Sequence, residues 1–180
     1  MKKLKKLLLD EKATISKMWL DKLFQTYSPD AVKLFAEDKN QFTNPVGNIL
    51  SEGTKGAFEA LVEEDNEALT ANLDKIIRIR SVQDMSASQS VLFVFFLKDV
   101  VRRALKNQLK GPAIMSELTH FDARIDMAAL AAFDVYVQCR DKVFELRVNE
   151  VKRNVSQHLK MTGFFENDPD SPPDQKLGNT

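Results

Sequence analysis

Few residues in this chain have the type and spacing to do chemistry. Its 180 residues hold two histidines, His120 and His158, and one cysteine, Cys139. Neither histidine sits in an HxxxH, HExxH or Cys–His spacing, so a zinc site lacks its ligands. No GxGxxG, P-loop or GxSxG sequence occurs; GNILSEGTKG has a Gly-Thr-Lys but neither the P-loop spacing nor a preceding strand. Asp122 and Asp126 lie four apart on one helical face. With a third carboxylate they could hold a metal; the alternative is an exposed or Arg-paired face. No catalytic residue and no metal ligand is assigned from the sequence.

Charge set among apolar residues is the more informative feature. RIRSVQD places Arg78, Arg80 and Asp84 beside the most hydrophobic stretch of the chain, and ARIDMAALAAFDVYVQCR places Arg124, Asp126, Asp134 and Arg140 along a second. A charge buried without a partner is very costly. These groups must therefore reach water or pair across helices. Pairing would fix the packing register; a polar pocket for a small anion or metabolite is the functional alternative. The expected contact is Arg78 or Arg80 with Asp126 or Asp134.

The elements that position these residues read as helices. Val91 to Leu97 is seven apolar residues in a row, and a segment apolar on every side must be surrounded by protein. It is far short of the ~20 apolar residues that a membrane span needs. Its helix is expected to start at Ser86 or Ser88 as a cap and to be closed by Gly111-Pro112. Upstream, residues 4 to 27 read as one helix with Leu8, Ile15, Trp19, Leu23 and Tyr27 on one face. A short helix follows over 30 to 37, and a third runs from Asn44-Pro45 to about Glu64, with cap and N1 proline in place. This third helix is expected to bury Val46, Ile49, Leu50, Phe58 and Leu61. Its Gly47, Gly53 and Gly56 would let another helix, or a ligand, come close. A fourth helix spans Asn66 to Arg80. No stretch alternates at period two, so no sheet is expected.

The last helix is predicted from about Ser116 to Lys160, free of Pro and Gly. Two apolar seams run along its first part: Ala129, Ala132, Tyr136, Cys139, Val143, Leu146 in one, and Leu130, Phe133, Val137, Phe144 in the other. Together they make a wide face for packing on the domain. Beyond Leu146 one narrow stripe remains, Val148, Val151, Val155 and Leu159, with the step of a two-helix seam. That part is expected to leave the domain and pair with its own copy in parallel, Arg140 and His158 setting the register.

Composition limits the rest. There are 26 basic and 26 acidic residues, so the net basic footprint that phosphate binding needs is missing. One cysteine rules out an internal disulfide and suits a reducing compartment. The N-terminal KKLKKLLLDEK lacks the apolar core of a signal peptide. A soluble, cytoplasmic protein with neither nucleic acid nor a membrane span is expected. ENDPDSPPDQKLGNT, at the C-terminus, is too polar to fold. The organisation expected is one domain over residues 1–162, of which 146–162 projects, and a disordered tail over 163–180.

Three blocks, FTNPVG, then RIRSVQDMSASQSVLFVFFLKDVVRR, then ARIDMAALAAFDVYVQCRDKVFELRVNEVKR, resemble the N-terminal domain of RsbR-type proteins, the RsbT co-antagonist (RsbRD N-terminal) family. The resemblance runs from about Trp19 to Arg153. It implies an all-α, globin-like bundle without haem, dimeric, serving as a sensory module of the stressosome ahead of a STAS domain. Only 27 residues follow Arg153, too few for a STAS domain. Single-domain relatives are similar to proteins of anaerobic sulfate reducers. A haem is also hard to place: the central helix has no histidine to serve as proximal ligand.

The function expected is thus a non-catalytic, cofactor-free regulatory module, a homodimer that signals by protein contact in a stressosome-like or sulfur-metabolism setting. Its partner would be a STAS-domain or other regulatory protein, with a small-molecule ligand as a further input. The alternatives are an adaptor that docks a redox complex without sensing a ligand, and an enzyme with an unrecognised site.

Overall fold

The computed structural model describes residues 2–37, 44–83 and 85–161. All regular structure among them is helical: α1 (Lys2–Asp10), α2 (Lys12–Phe24), α3 (Pro29–Glu37), α4 (Pro45–Glu63), α5 (Asn66–Ser81), α6 (Ala87–Ala104) and α7 (Pro112–Met161). The chain forms two units, residues 1–140 and residues 141–180. Residues 38–43, Asp84 and the C-terminal segment from Thr162 lie outside the described residues.

The helix starts follow from local chemistry. Asn44 accepts the Gly47 amide on its side chain and Pro45 takes the first helical position. Asp65 accepts from the Ala68 amide at the head of α5. Of the two serines expected at the start of α6, Ser86 is the cap: its hydroxyl accepts from the Gln89 amide, and the Gln89 side chain accepts from the Ser86 amide. Each arrangement satisfies amides that the first helical turn leaves orphaned.

The first expected helix is two. α1 and α2 meet at Glu11, and α2 ends at Phe24, ahead of Ser28-Pro29. The buried face is still the predicted one, with Leu8, Ile15, Trp19 and Leu23 fully enclosed. The start of α1 is held from far along the chain, the Leu4 amide donating to the Glu117 carboxylate of α7 at 2.7 Å.

The core of the first unit is built on α6. Phe93, Val94, Leu97 and Val101 are fully buried, and Val100 nearly so. The run Val91–Leu97 is nevertheless not enclosed on all sides: Leu92 and Phe95 are 46% and 41% exposed. Ile49 is likewise exposed rather than buried. Trp19 stacks on Phe93, centroids 5.9 Å apart, and its indole N–H donates to the Phe93 carbonyl at 2.7 Å. Two of the glycines of α4 are where α5 comes close. A Cβ on Gly53 would stand 2.8 Å from the Ile76 side chain and 3.3 Å from the Asn72 carbonyl oxygen; one on Gly56 would meet the Asn72 amide. The helix–helix reading of these glycines holds.

α7 is one unbroken helix of 50 residues. One predicted seam is buried in the first unit at Ala129, Ala132, Tyr136 and Cys139. The other is not: Leu130 is 60% exposed, Phe133 45% and Val137 40%. One face of α7 closes the core, with Leu118, Phe121 and Ile125 buried beside the alanines. Taken by itself, the second unit is described over Asp141–Met161, and no residue of that stretch is buried.

Candidate functional site

Arg80 is the most unusual side chain in the molecule. It is fully buried, near the end of α5. Its Nε donates to the Ser90 carbonyl at 3.0 Å, Nη1 to the Thr26 hydroxyl at 3.0 Å and Nη2 to the Gln89 carbonyl at 2.8 Å. The guanidinium lies 4.9 Å from the centroid of the Tyr27 ring and 5.6 Å from that of Phe93. No carboxylate pairs with it among the described residues. Carbonyl dipoles and two π faces lie against its charge, an arrangement open to the planar fork of arginine and closed to lysine. Burial depresses the Arg80 pKa, and the Tyr27 hydroxyl works in the opposite direction. Burial likewise raises that of Tyr27, with the charge of Arg80 opposing it.

Two side chains of α7 hold the corner between α5 and α6. The Tyr136 hydroxyl donates to the Met85 carbonyl at 2.9 Å, and Arg140 Nη1 donates to the Ser81 carbonyl at 3.3 Å. Arg80 thus grips the corner from within while Tyr136 and Arg140 hold its outer side.

The predicted charged residues are not brought into one network. Arg78 pairs with Asp74 of its own helix. Asp126 pairs with Lys98 of α6 at 2.6 Å, and Asp122 with Arg102. Arg124 lies 3.1 Å from Glu64, and burial lowers its pKa against the pull of that carboxylate. Asp134 is exposed, and Asp84 lies outside the described residues. The expected contact of Arg78 or Arg80 with Asp126 or Asp134 is therefore absent. The reason is visible in α6: Lys98 and Arg102, four apart, meet Asp126 and Asp122, four apart, on an antiparallel neighbour. These pairs belong to the class of half-exposed ion pairs worth about 0.2–1 kcal/mol each. Asp126→Ala should cost about that much and not the 3–5 kcal/mol of a stranded buried arginine.

Nor do Arg78 and Arg124 share a pocket. Arg78 lines an open groove of about 890 Å³ with Asn48, Glu52 and Lys75, and Arg124 lines another of about 520 Å³ with Glu64, Glu117 and His120. His120 is exposed, its Nδ1 against the Ser116 carbonyl. Among the described residues no three His, Cys, Asp or Glu side chains are grouped to hold a metal. No helix there is long and apolar enough to cross a membrane.

The remaining feature is apolar surface on α7. In the first unit Leu130, Phe133 and Val137 are exposed, as are Leu92 and Phe95 of α6. In the second, Phe144 is 68% exposed, Val151 61% and Val155 52%, while Val148 and Leu159 are partly exposed. The residues anchoring the α5–α6 corner, Thr26, Tyr136 and Arg140, were not legible as such, because Tyr136 and Arg140 donate to distant backbone carbonyls, Thr26 accepts from the Arg80 guanidinium, and none carries a motif.

The described residues thus form an all-helical chain with a buried arginine at the end of α5 and exposed apolar residues along α7. Residues 13–151 match the model of the RsbT co-antagonist protein rsbRD N-terminal domain. The chain belongs to that family, a family of regulatory stress-signalling domains. No curated protein and no solved structure matches it.

Proposed function

We propose that this protein is a non-catalytic regulatory module that works as a parallel homodimer, with globin-like packing and no haem, and passes its signal by protein contact in the cytoplasm. The observation that carries this reading is the strip on α7. Val148, Val151, Val155 and Leu159 recur along a helix segment with no buried residue. Helices in proteins draw most of their stability from packing of an apolar face, and the described residues of this segment bury none. A second copy laid along it would cover the strip and supply the missing support. Leu130, Phe133 and Val137 extend the apolar surface available to that copy. Family membership supports the signalling role, and a STAS-domain or other regulatory protein is the partner that such a role calls for. The stressosome and sulfur metabolism are the two settings that this reading favours.

The test is Val151→Glu combined with Val155→Glu. Light scattering should show a dimer for the wild type and a monomer for the variant, with helicity of the first unit retained in circular dichroism. A wild type that is monomeric at tens of micromolar would sink the reading.

A further inference from the structure

The corner between α5 and α6 and the apolar strip of α7 share one side chain, Arg140. Its Nη1 is committed to the Ser81 carbonyl, one residue beyond the buried Arg80. The guanidinium carries five N–H donors in a fixed fork, so that bond leaves capacity for carboxylates on another side. Arg140 is exposed.

Where those carboxylates would come from follows from helical register. Counted at 3.6 residues per turn from Val155, Phe144, Val148 and Val151 lie within about 40° of one line. Asp141 stands about 40° to one side of that line and Glu145 about 80° to the same side, whereas Arg140 stands about 60° to the other. The strip thus has acids on one flank and Arg140 on the opposite flank at the same level. In a parallel pair related by a twofold axis, the left flank of one helix faces the right flank of the other, and each contact occurs twice. In an antiparallel pair each flank would face itself. Lys152 lies on the acidic flank and Arg147 on the basic one, so one turn further on the parallel pair brings two bases together. The favourable contacts are concentrated at Arg140.

We propose that Arg140 of each copy is shared between the Ser81 carbonyl of its own chain and Asp141 and Glu145 of a second copy, and so couples the α5–α6 corner to the dimer seam. This rests on the dimer reading above. Arg140 is a positioning residue here: it sets the register of the pair and makes that register depend on the corner that Arg80 holds.

The experiment measures the dimer dissociation constant of the full chain by sedimentation equilibrium. Arg140→Glu should weaken the dimer by about tenfold or more, because it places like charges against Asp141 and Glu145. Arg140→Glu together with Asp141→Arg and Glu145→Arg exchanges the flanks and should recover most of the lost affinity but not all of it, because glutamate at 140 restores the seam contact and cannot donate to the Ser81 carbonyl. A structural role in folding alone would not be rescued by that exchange. Arg140→Gln keeps a donor for Ser81 without the charge and should fall between. A wild-type dimer that Arg140→Glu leaves intact, or one that the exchange fails to rescue while circular dichroism stays native, overturns the coupling and spares the dimer. A monomeric wild type overturns both.

Discussion

Arg80 sets an energetic question that single substitutions answer. A guanidinium taken wholly out of water loses solvation that three hydrogen bonds and two ring faces must offset. Arg80→Met keeps the length and removes the charge, and with it the desolvation cost. Arg80→Lys keeps a charge that cannot reach three diverging acceptors. Arg80→Met should therefore be the milder change, with Arg80→Lys lower in urea midpoint by an amount worth about 1–3 kcal/mol; the reverse order would show that the cage requires a cation. Tyr27 gives a second handle. Its phenol keeps its proton in the folded state above the ordinary value of 10.0, because burial disfavours the phenolate. The unfolded chain gives up that proton first. The Tyr27 contribution is thus whole below the unfolded pKa and is lost as pH rises through the folded one. Stability measured between about pH 8 and 11 should fall at the alkaline end, and Tyr27→Phe should flatten the fall. That Arg80 was unusual could be read from its apolar neighbours. That no carboxylate pairs with it among the described residues could not, since the acceptors seen there are backbone carbonyls and a threonine hydroxyl that any sequence supplies.

The fit between α4 and α5 decides what a glycine is worth. In an exposed helix interior Gly→Ala gains about 1 kcal/mol of helix propensity. At Gly53 the new methyl would press on Ile76 and on the Asn72 carbonyl oxygen, and a backbone oxygen cannot swing aside. Overpacking of this kind costs about 1–3 kcal/mol. Gly53→Ala should accordingly lower the melting temperature, while Gly56→Ala should be close to neutral, since it meets only the movable amide of Asn72. Helix starts and the extent of α7 were legible because Asn44-Pro45 and Ser86 carry local chemistry, and because Pro112 to Met161 contains no interior breaker. The exposed seam of α7 was not. Leu130, Phe133 and Val137 have the periodicity of a core face, and periodicity reports that a face will be covered without saying by what. The break at Glu11 was equally hidden, because α1 and α2 share one apolar face across it.

For the molecule as a whole, association and stability become one quantity if the strip is covered by a second copy. Ligand linkage then makes the melting temperature rise with protein concentration. A hundredfold change in concentration should move the wild type upward by a few degrees and leave the Val151→Glu, Val155→Glu variant unmoved; equal, flat behaviour of both would count against pairing. The fold class was readable in outline from the absence of period-two stretches and the order of three sequence blocks, whereas the partner of each charged group depends on which helices the chain brings side by side. One contact bears on how that arrangement is reached. The first helix is pinned by Glu117, 113 residues downstream of Leu4. Chains leave the ribosome N-terminus first, at about 5–20 residues per second. Leu4 therefore waits roughly 6–23 s for Glu117 to be synthesised. Until then Leu4 and Leu8, both destined for full burial, belong to a helix whose final anchor does not yet exist. The contact between α1 and α7 is therefore among the last to form, and a nascent chain stalled before α7 would hold its first turns against α2 and α4 alone.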